Sequence, residues 1–97
     1  LAPTEGVDLM RRRRGLAAAR ERDLASGPGR LCVALGIDKR FDRADLHGER
    51  VWIERGQPPD ESRIASGPRI GVQYAGDWAA RPWRMWIAGD PFVSRGR

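Results

Sequence analysis

Cys32 has no second cysteine to pair with, which excludes an internal disulfide and argues against a secreted, cross-linked scaffold. Long apolar runs are also missing: none approaches the ~18 residues of a membrane-spanning helix, and no signal-peptide pattern is present. The expectation is therefore a soluble, cytoplasmic chain with no membrane partner. Histidine occurs once, as His47 in the polar stretch DLHGER, without Cys or carboxylate neighbours at metal-ligand spacing. Neither a metal site nor a cofactor is expected. Leu1 takes the place of an initiator methionine, and LAPTEGVDLM reads like the middle of a longer sequence, so a truncation point is expected there. No internal repeat is visible, and 97 residues suffice for one small domain without a second core.

Lysine is nearly absent, with Lys39 alone, yet arginine is abundant. Seventeen Arg and one Lys against thirteen acids give a formal net charge of +5. A basic balance points to an anionic partner, of which nucleic acid is the commonest. The preference for Arg over Lys also follows from a GC-rich genome, so it is not in itself a sign of design.

The spacing predicts a helix over Gly6–Arg14, capped by Thr4 and stopped by Gly15, with Val7 and Met10 on its apolar side. Leu16–Ala25 is rich in Ala and charge, helical or loose. Ser26 and Gly27 then precede Pro28, a first-turn proline, and open a second helix that runs through Leu35 and stops at Gly36. Val51–Glu54 reads as a short strand, and the proline-rich Gly56–Ser62 segment as a surface loop. Further strands are expected at Arg69–Tyr74 and Trp83–Ala88, separated by a turn at Ala75–Trp78. Along Trp83–Ala88, Trp83, Met85 and Ile87 alternate with Arg84 and Trp86. The predicted class is α+β, short helices packed on a small, mostly antiparallel sheet that forms a partial domain.

The Ser26–Arg30 element carries the clearest chemistry. A helix N-terminus leaves backbone N–H groups unpaired and a partial positive charge, which together suit a phosphate oxygen. Gly27 and Gly29 allow close approach of that backbone, and Arg30 sits one turn in. The same pattern also fits an ordinary capped helix with proline at its first position. The tetrad Arg11–Arg14 sprays over most of a helix circumference and cannot face one groove. Asp8 lies at pairing distance from Arg11 or Arg12, so part of the run is a solvated face, Arg12 and Arg13 in particular. Trp52, Trp78, Trp83 and Trp86 invite a base-stacking reading, but tryptophans in so small a domain are expected in its core. Cys32 is expected as buried packing, and Asp42 and Asp45 as cap and surface carboxylates.

SGPGRLCVALGID (Ser26–Asp38) and RIGVQYAGDWAARPWRMWIAGDPFVS (Arg69–Ser94) together resemble the alkyladenine (3-methyladenine) DNA glycosylase family, the base-excision enzymes that flip damaged purines out of DNA. The resemblance runs from Leu1 to Ser94 and corresponds to about the C-terminal half of a family domain, so residues 1–97 are expected as the C-terminal portion of a single glycosylase domain. It implies DNA-phosphate contacts for Arg30 and Lys39, and a place near the DNA backbone for Arg14. It also implies that the backbone carbonyl of Ile70, rather than its side chain, helps to hold the nucleophilic water, while Gly71 admits the flipped nucleotide. A carbonyl suits that task because water donates one hydrogen to a general base and the other to a fixed acceptor.

By the same resemblance, the glutamate that activates water, the aromatics that sandwich the purine and the inserted tyrosine all precede the position matching Leu1. Glu5, Glu21, Glu49, Glu54 and Glu61 fall in caps, helix surfaces or loops and do not replace that glutamate. The chain alone is therefore expected to be catalytically inactive, a fragment of an N-glycosidic-bond hydrolase of base excision repair. The expected partner is double-stranded DNA with damaged purines, the expected state a monomer, and the location the nucleoid if the source is bacterial. Strands that would pair with a missing half are expected to expose edges and apolar faces. The rival readings are a non-catalytic nucleic-acid-binding module and a split reading frame without function.

Overall fold

The computed structural model describes residues 1–15 and 20–94, which form two compact units, Leu1–Gly56 and Gln57–Arg97. Three short α-helices belong to the first and a two-stranded antiparallel sheet to the second, with short 3-10 turns in both. The α+β class expected from the sequence is what the chain adopts.

In the first unit, α1 spans Val7–Arg14. Asp8 in its first turn and the four arginines in its last complement the helix dipole. The expected Thr4 cap does not form. Gly6 occupies the N-cap position at φ 69° without any side-chain cap bond, which leaves Thr4 outside the helix start. Gly15 ends the helix as expected, its N–H donating to the Arg12 carbonyl at 3.4 Å. Of the stretch 16–25, Glu21–Leu24 forms a single helical turn, α2, while 16–19 lie outside the described residues. Pro28–Leu35 forms α3, with Pro28 in its first turn. Gly36 at φ 67° closes it, and the Ile37 N–H reaches back to the Cys32 carbonyl at 2.8 Å. The three helices pack against one another, and their contact buries Leu24, Ala25 and Ala34, the buried core among the described residues. Cys32 is half-buried rather than enclosed.

The strand expected at Val51–Glu54 shrinks to one antiparallel bridge, His47 to Trp52. A strand exists only through its partner, and among the described residues nothing beyond Leu46 and His47 pairs with this one.

In the second unit, Asp60 caps a 3-10 turn at Glu61–Arg63, accepting from the Ser62 N–H and hydroxyl at 2.9 and 2.8 Å. Strand β1, Ile64–Gly67, follows and pairs with β2, Arg84–Ile87, in the register Ile64–Ile87, Ala65–Trp86, Ser66–Met85 and Gly67–Arg84. The β2 strand was expected and β1 was not. The strand expected at Arg69–Tyr74 is absent. Pro68 removes a ladder donor directly after β1, Gly71 turns at φ 75°, and Gln73–Ala80 winds into 3-10 structure kinked at Gly76. Along β2, Met85 is exposed and Ile87 on the same face is half-buried, while the opposite face carries the half-buried Arg84 and Trp86. There the Arg84 guanidinium lies 4.6 Å from the Trp86 ring centre and donates to the Ser94 carbonyl at 2.7 Å.

Candidate nucleic-acid interface

The N-terminal tip of α3 is open. Gly27, at φ 90° and ψ 161°, holds a conformation suited to glycine, and its carbonyl accepts the first intrahelical bond, from the Leu31 N–H at 2.9 Å. No side chain caps the helix. Pro28 has no N–H, so the N–H groups of Gly29 and Arg30 remain as donors at the tip. Ideal Cβ atoms built on Gly27 and Gly29 meet nothing within 4 Å, so an oxygen has room to approach this backbone. Arg30 is exposed and joins no ion pair among the described residues.

One element later, Lys39 opens a 3-10 turn, Lys39–Phe41, that is capped by Asp38. Asp38 accepts the Arg40 N–H at 2.9 Å and takes the Arg40 guanidinium as a fork, with Nη2 at 2.8 Å. The Arg40 side-chain bonds, followed by its backbone N–H, hold the Asp38 carboxyl below the usual aspartate range, and Asp38 raises Arg40 in turn. Arg40 thus occupies the neighbouring carboxylate, and Lys39 stays exposed outside every ion pair of the described residues.

The arginines of α1 divide their work. Arg11 pairs with Asp8 at 3.6 Å, as its spacing suggested, and reaches Glu21 at 3.9 Å. Arg12 is exposed and joins no ion pair among the described residues. Arg13 is more than a solvated charge, since its Nη1 donates to the Ala34 carbonyl at 3.2 Å. Arg14 is half-buried, with Nε on the Leu24 carbonyl at 3.1 Å and Nη2 on that of Asp23 at 3.2 Å.

Ile70 and Gly71 belong to the second unit, in the bend that replaces the expected strand. The Ile70 side chain is 45 % exposed rather than packed in a core. Its carbonyl accepts no backbone hydrogen bond among the described residues, so it is free for another donor. A Cβ on Gly71 would meet nothing within 4 Å. Beside this bend lies a group that sequence reasoning assigned to the core. Trp78 and Trp83, each more than half exposed, stand 5.4 Å apart. Arg69 lies 5.2 Å from the Trp83 ring centre and Arg81 5.3 Å from that of Trp78. Trp52, in the first unit, is also exposed and donates Nε1–H to Glu54 at 2.6 Å. Arg69 and Trp83 meet across the intervening 3-10 segment, which no local spacing signals, whereas Arg81 and Trp78 lie only three residues apart.

The carboxylates show where proton chemistry is weak. No charged side chain is buried among the described residues, and the Asp38 and Asp60 carboxyls are both held below the usual aspartate range. For Asp60 the Ser62 N–H is the larger cause and the Ser62 hydroxyl the smaller. Among the described residues, no group of three or more His, Cys, Asp or Glu side chains is placed to hold a metal ion. No helix of the described residues is long and apolar enough to cross a membrane.

Comparison with known proteins places this geometry in context. Residues 1–91 match the family model described as methylpurine-DNA glycosylase. The chain is 44 % identical over 103 residues to the DNA-3-methyladenine glycosylase of Homo sapiens, covering 97 % of this chain and 35 % of that protein. It is 38 % identical over 104 residues to the enzyme of the same name from Mus musculus, covering 97 % of this chain and 31 % of that protein. With the "probable DNA-3-methyladenine glycosylase" of Encephalitozoon cuniculi it shares 40 % identity over 96 residues, covering 97 % of this chain and 46 % of the relative. The chain thus spans between about a third and a half of the length of these relatives.

Proposed function

The chain belongs to the methylpurine-DNA glycosylase family, and on that premise we propose that it is the DNA-gripping, C-terminal portion of a single glycosylase domain. The whole domain would hydrolyse the N-glycosidic bond of an alkylated or deaminated purine flipped out of duplex DNA. The observation that carries this reading is the uncapped α3 tip, where the Gly29 and Arg30 N–H groups have no backbone acceptor, Cβ atoms on Gly27 and Gly29 would meet open space, and the Arg30 side chain joins no ion pair among the described residues.

In this mechanism the α3 tip and Arg30 hold one backbone phosphate, and Lys39 holds a second as a point charge. Gly71 admits the extrahelical nucleotide. The Ile70 carbonyl accepts one hydrogen of the nucleophilic water, while a glutamate outside this chain accepts the other and aims the oxygen lone pair at the sugar carbon. The unengaged state of that carbonyl supports the assignment. Asp38 and Asp60, lowered and already hydrogen-bonded, are poor general bases. The chain by itself is therefore proposed to bind damaged DNA as a monomer without excising the base. The proposed location is the cytoplasm, on the nucleoid if the source is bacterial.

Binding to a duplex carrying an abasic-site analogue or 1,N6-ethenoadenine, followed by fluorescence anisotropy over a range of salt, tests the grip. Arg30→Ala and Lys39→Ala should each lower the slope of log K against log [salt] by about 0.9. Affinity indifferent to both residues and to salt would overturn it. Incubation with the ethenoadenine duplex and alkaline strand cleavage should give no product, and product formation would remove the claim of inactivity.

A further inference from the structure

Resting on the reading of the α3 tip as a phosphate grip, we infer that Arg14, assisted by Arg13, is a positioning residue for that tip. Arg14 donates from Nε and Nη2 to the Leu24 and Asp23 carbonyls, the last turn of α2 and the chain directly ahead of the Ser26–Gly27 approach to α3. Carbonyls at a helix C-terminus lack intrahelical donors, and a guanidinium satisfies two of them with charge-assisted bonds in fixed directions. Arg13 does the same at the far end of α3, where Nη1 donates to the Ala34 carbonyl. Its guanidinium lies 3.1 to 3.3 Å from the point where a Cβ on Gly36 would stand, so it packs closely over the glycine that closes α3 at φ 67°.

A single helix therefore holds the last turn of α2, three residues ahead of α3, and the last turn of α3 itself, through adjacent arginines. An anion site made of backbone N–H groups depends on their direction being set before the anion arrives, because ordering them afterwards weakens binding. The uncapped tip has no side chain of its own to set that direction. Arg14 fixes the turn that leads into it. Arg14 is half-buried with two donors committed to these carbonyls, whereas Arg12 on the same helix is exposed and joins no ion pair among the described residues. Arg12 is thus the matched control, carrying the same charge without the bracing bonds.

The test is a double-mutant cycle on binding to a duplex with an abasic-site analogue, read together with helix content by circular dichroism. Arg30→Ala and Arg14→Gln should each weaken binding about tenfold, the scale of a lost hydrogen bond to a charged group. The double variant should be no more than about twofold weaker than either single one, because both act on one phosphate. Arg12→Ala should leave the tip's contribution intact and add to Arg30→Ala. Where Arg14→Gln loses helix content, Arg14→Lys decides: it keeps the charge, cannot fork across two carbonyls, and should show the same non-additive loss. If Arg30→Ala weakens binding while the Arg14 variants are additive with it, or match Arg12→Ala, the positioning role is overturned. Binding indifferent to Arg30→Ala removes the phosphate grip and the positioning role with it.

Discussion

At the residue scale, the Asp38–Arg40 fork has the clearest consequence. Its partners depress the folded-state pKa of Asp38 below the unfolded value, so the stability it contributes is complete above the ordinary aspartate pKa. That contribution fades as the pH falls through the folded value, and with it goes the cap on the Lys39 turn. Carboxyl-carbon NMR titration should place the Asp38 midpoint below the ordinary aspartate value. Arg40→Ala should bring the midpoint back up, and an unchanged midpoint would mean that the fork does not persist in solution. Lys39 was legible in the sequence only as the solitary lysine and through resemblance; its freedom from ion pairs depends on Arg40 claiming Asp38, which needs coordinates to see. Ile70 is the extreme case. A backbone carbonyl has no side-chain signature, so the family pattern alone pointed to it, and its lack of a hydrogen-bond donor came from the structure.

At the element scale, α3 and β2 were readable because their signals are local: Pro28 and Gly36 bracket one, and period-two alternation marks the other. The β1 strand was not, because Ala65, Ser66 and Gly67 have little intrinsic strand preference and pair only because β2 lies alongside. The reverse error occurred at Val51–Glu54 and Arg69–Tyr74, where strand-forming residues found no adequate partner or met Pro68 and Gly71. The glycines of the tip separate conformation from space. Gly27→Ala forces an L residue into φ 90°, ψ 161°, and should cost about 1–3 kcal/mol in thermal or urea unfolding. Gly29→Ala sits in helical geometry with nothing within 4 Å, and should instead stabilise α3 by about 0.5 kcal/mol. Equal effects at the two positions would contradict this description of the tip. In the sheet, a Cβ on Gly67 would come within 3.1 Å of Trp86, and Trp86 is itself stacked by Arg84, so Gly67→Val should lower the stability of the second unit by about 1–3 kcal/mol.

At the scale of the whole molecule, the balance between buried and exposed apolar surface governs behaviour. Leu24, Ala25 and Ala34 are the buried residues among those described, all in the first unit. Trp52 and Ile53 in that unit, and Trp78, Trp83 and Met85 in the second, are each more than half exposed. Exposed apolar surface on this scale favours dye binding and association, while the net charge of +5 opposes association through repulsion. The chain alone should bind ANS at neutral pH and unfold in urea with a slope at or below ~1 kcal/mol/M, the lower end for small proteins. A steep transition without dye binding would show that the apolar faces are covered in solution. Duplex DNA supplies the converse test, because a ligand that binds only the folded chain stabilises it by mass action, about 2.7 kcal/mol at a hundredfold excess over Kd. An abasic-analogue duplex should therefore raise the urea midpoint, and Arg30→Ala should reduce the rise at the same DNA concentration. Added salt should reduce it too, since each phosphate contact is lost as counterions return. A midpoint that rises equally for the variant and at high salt would assign the stabilisation to apolar contact with DNA rather than to the α3 tip.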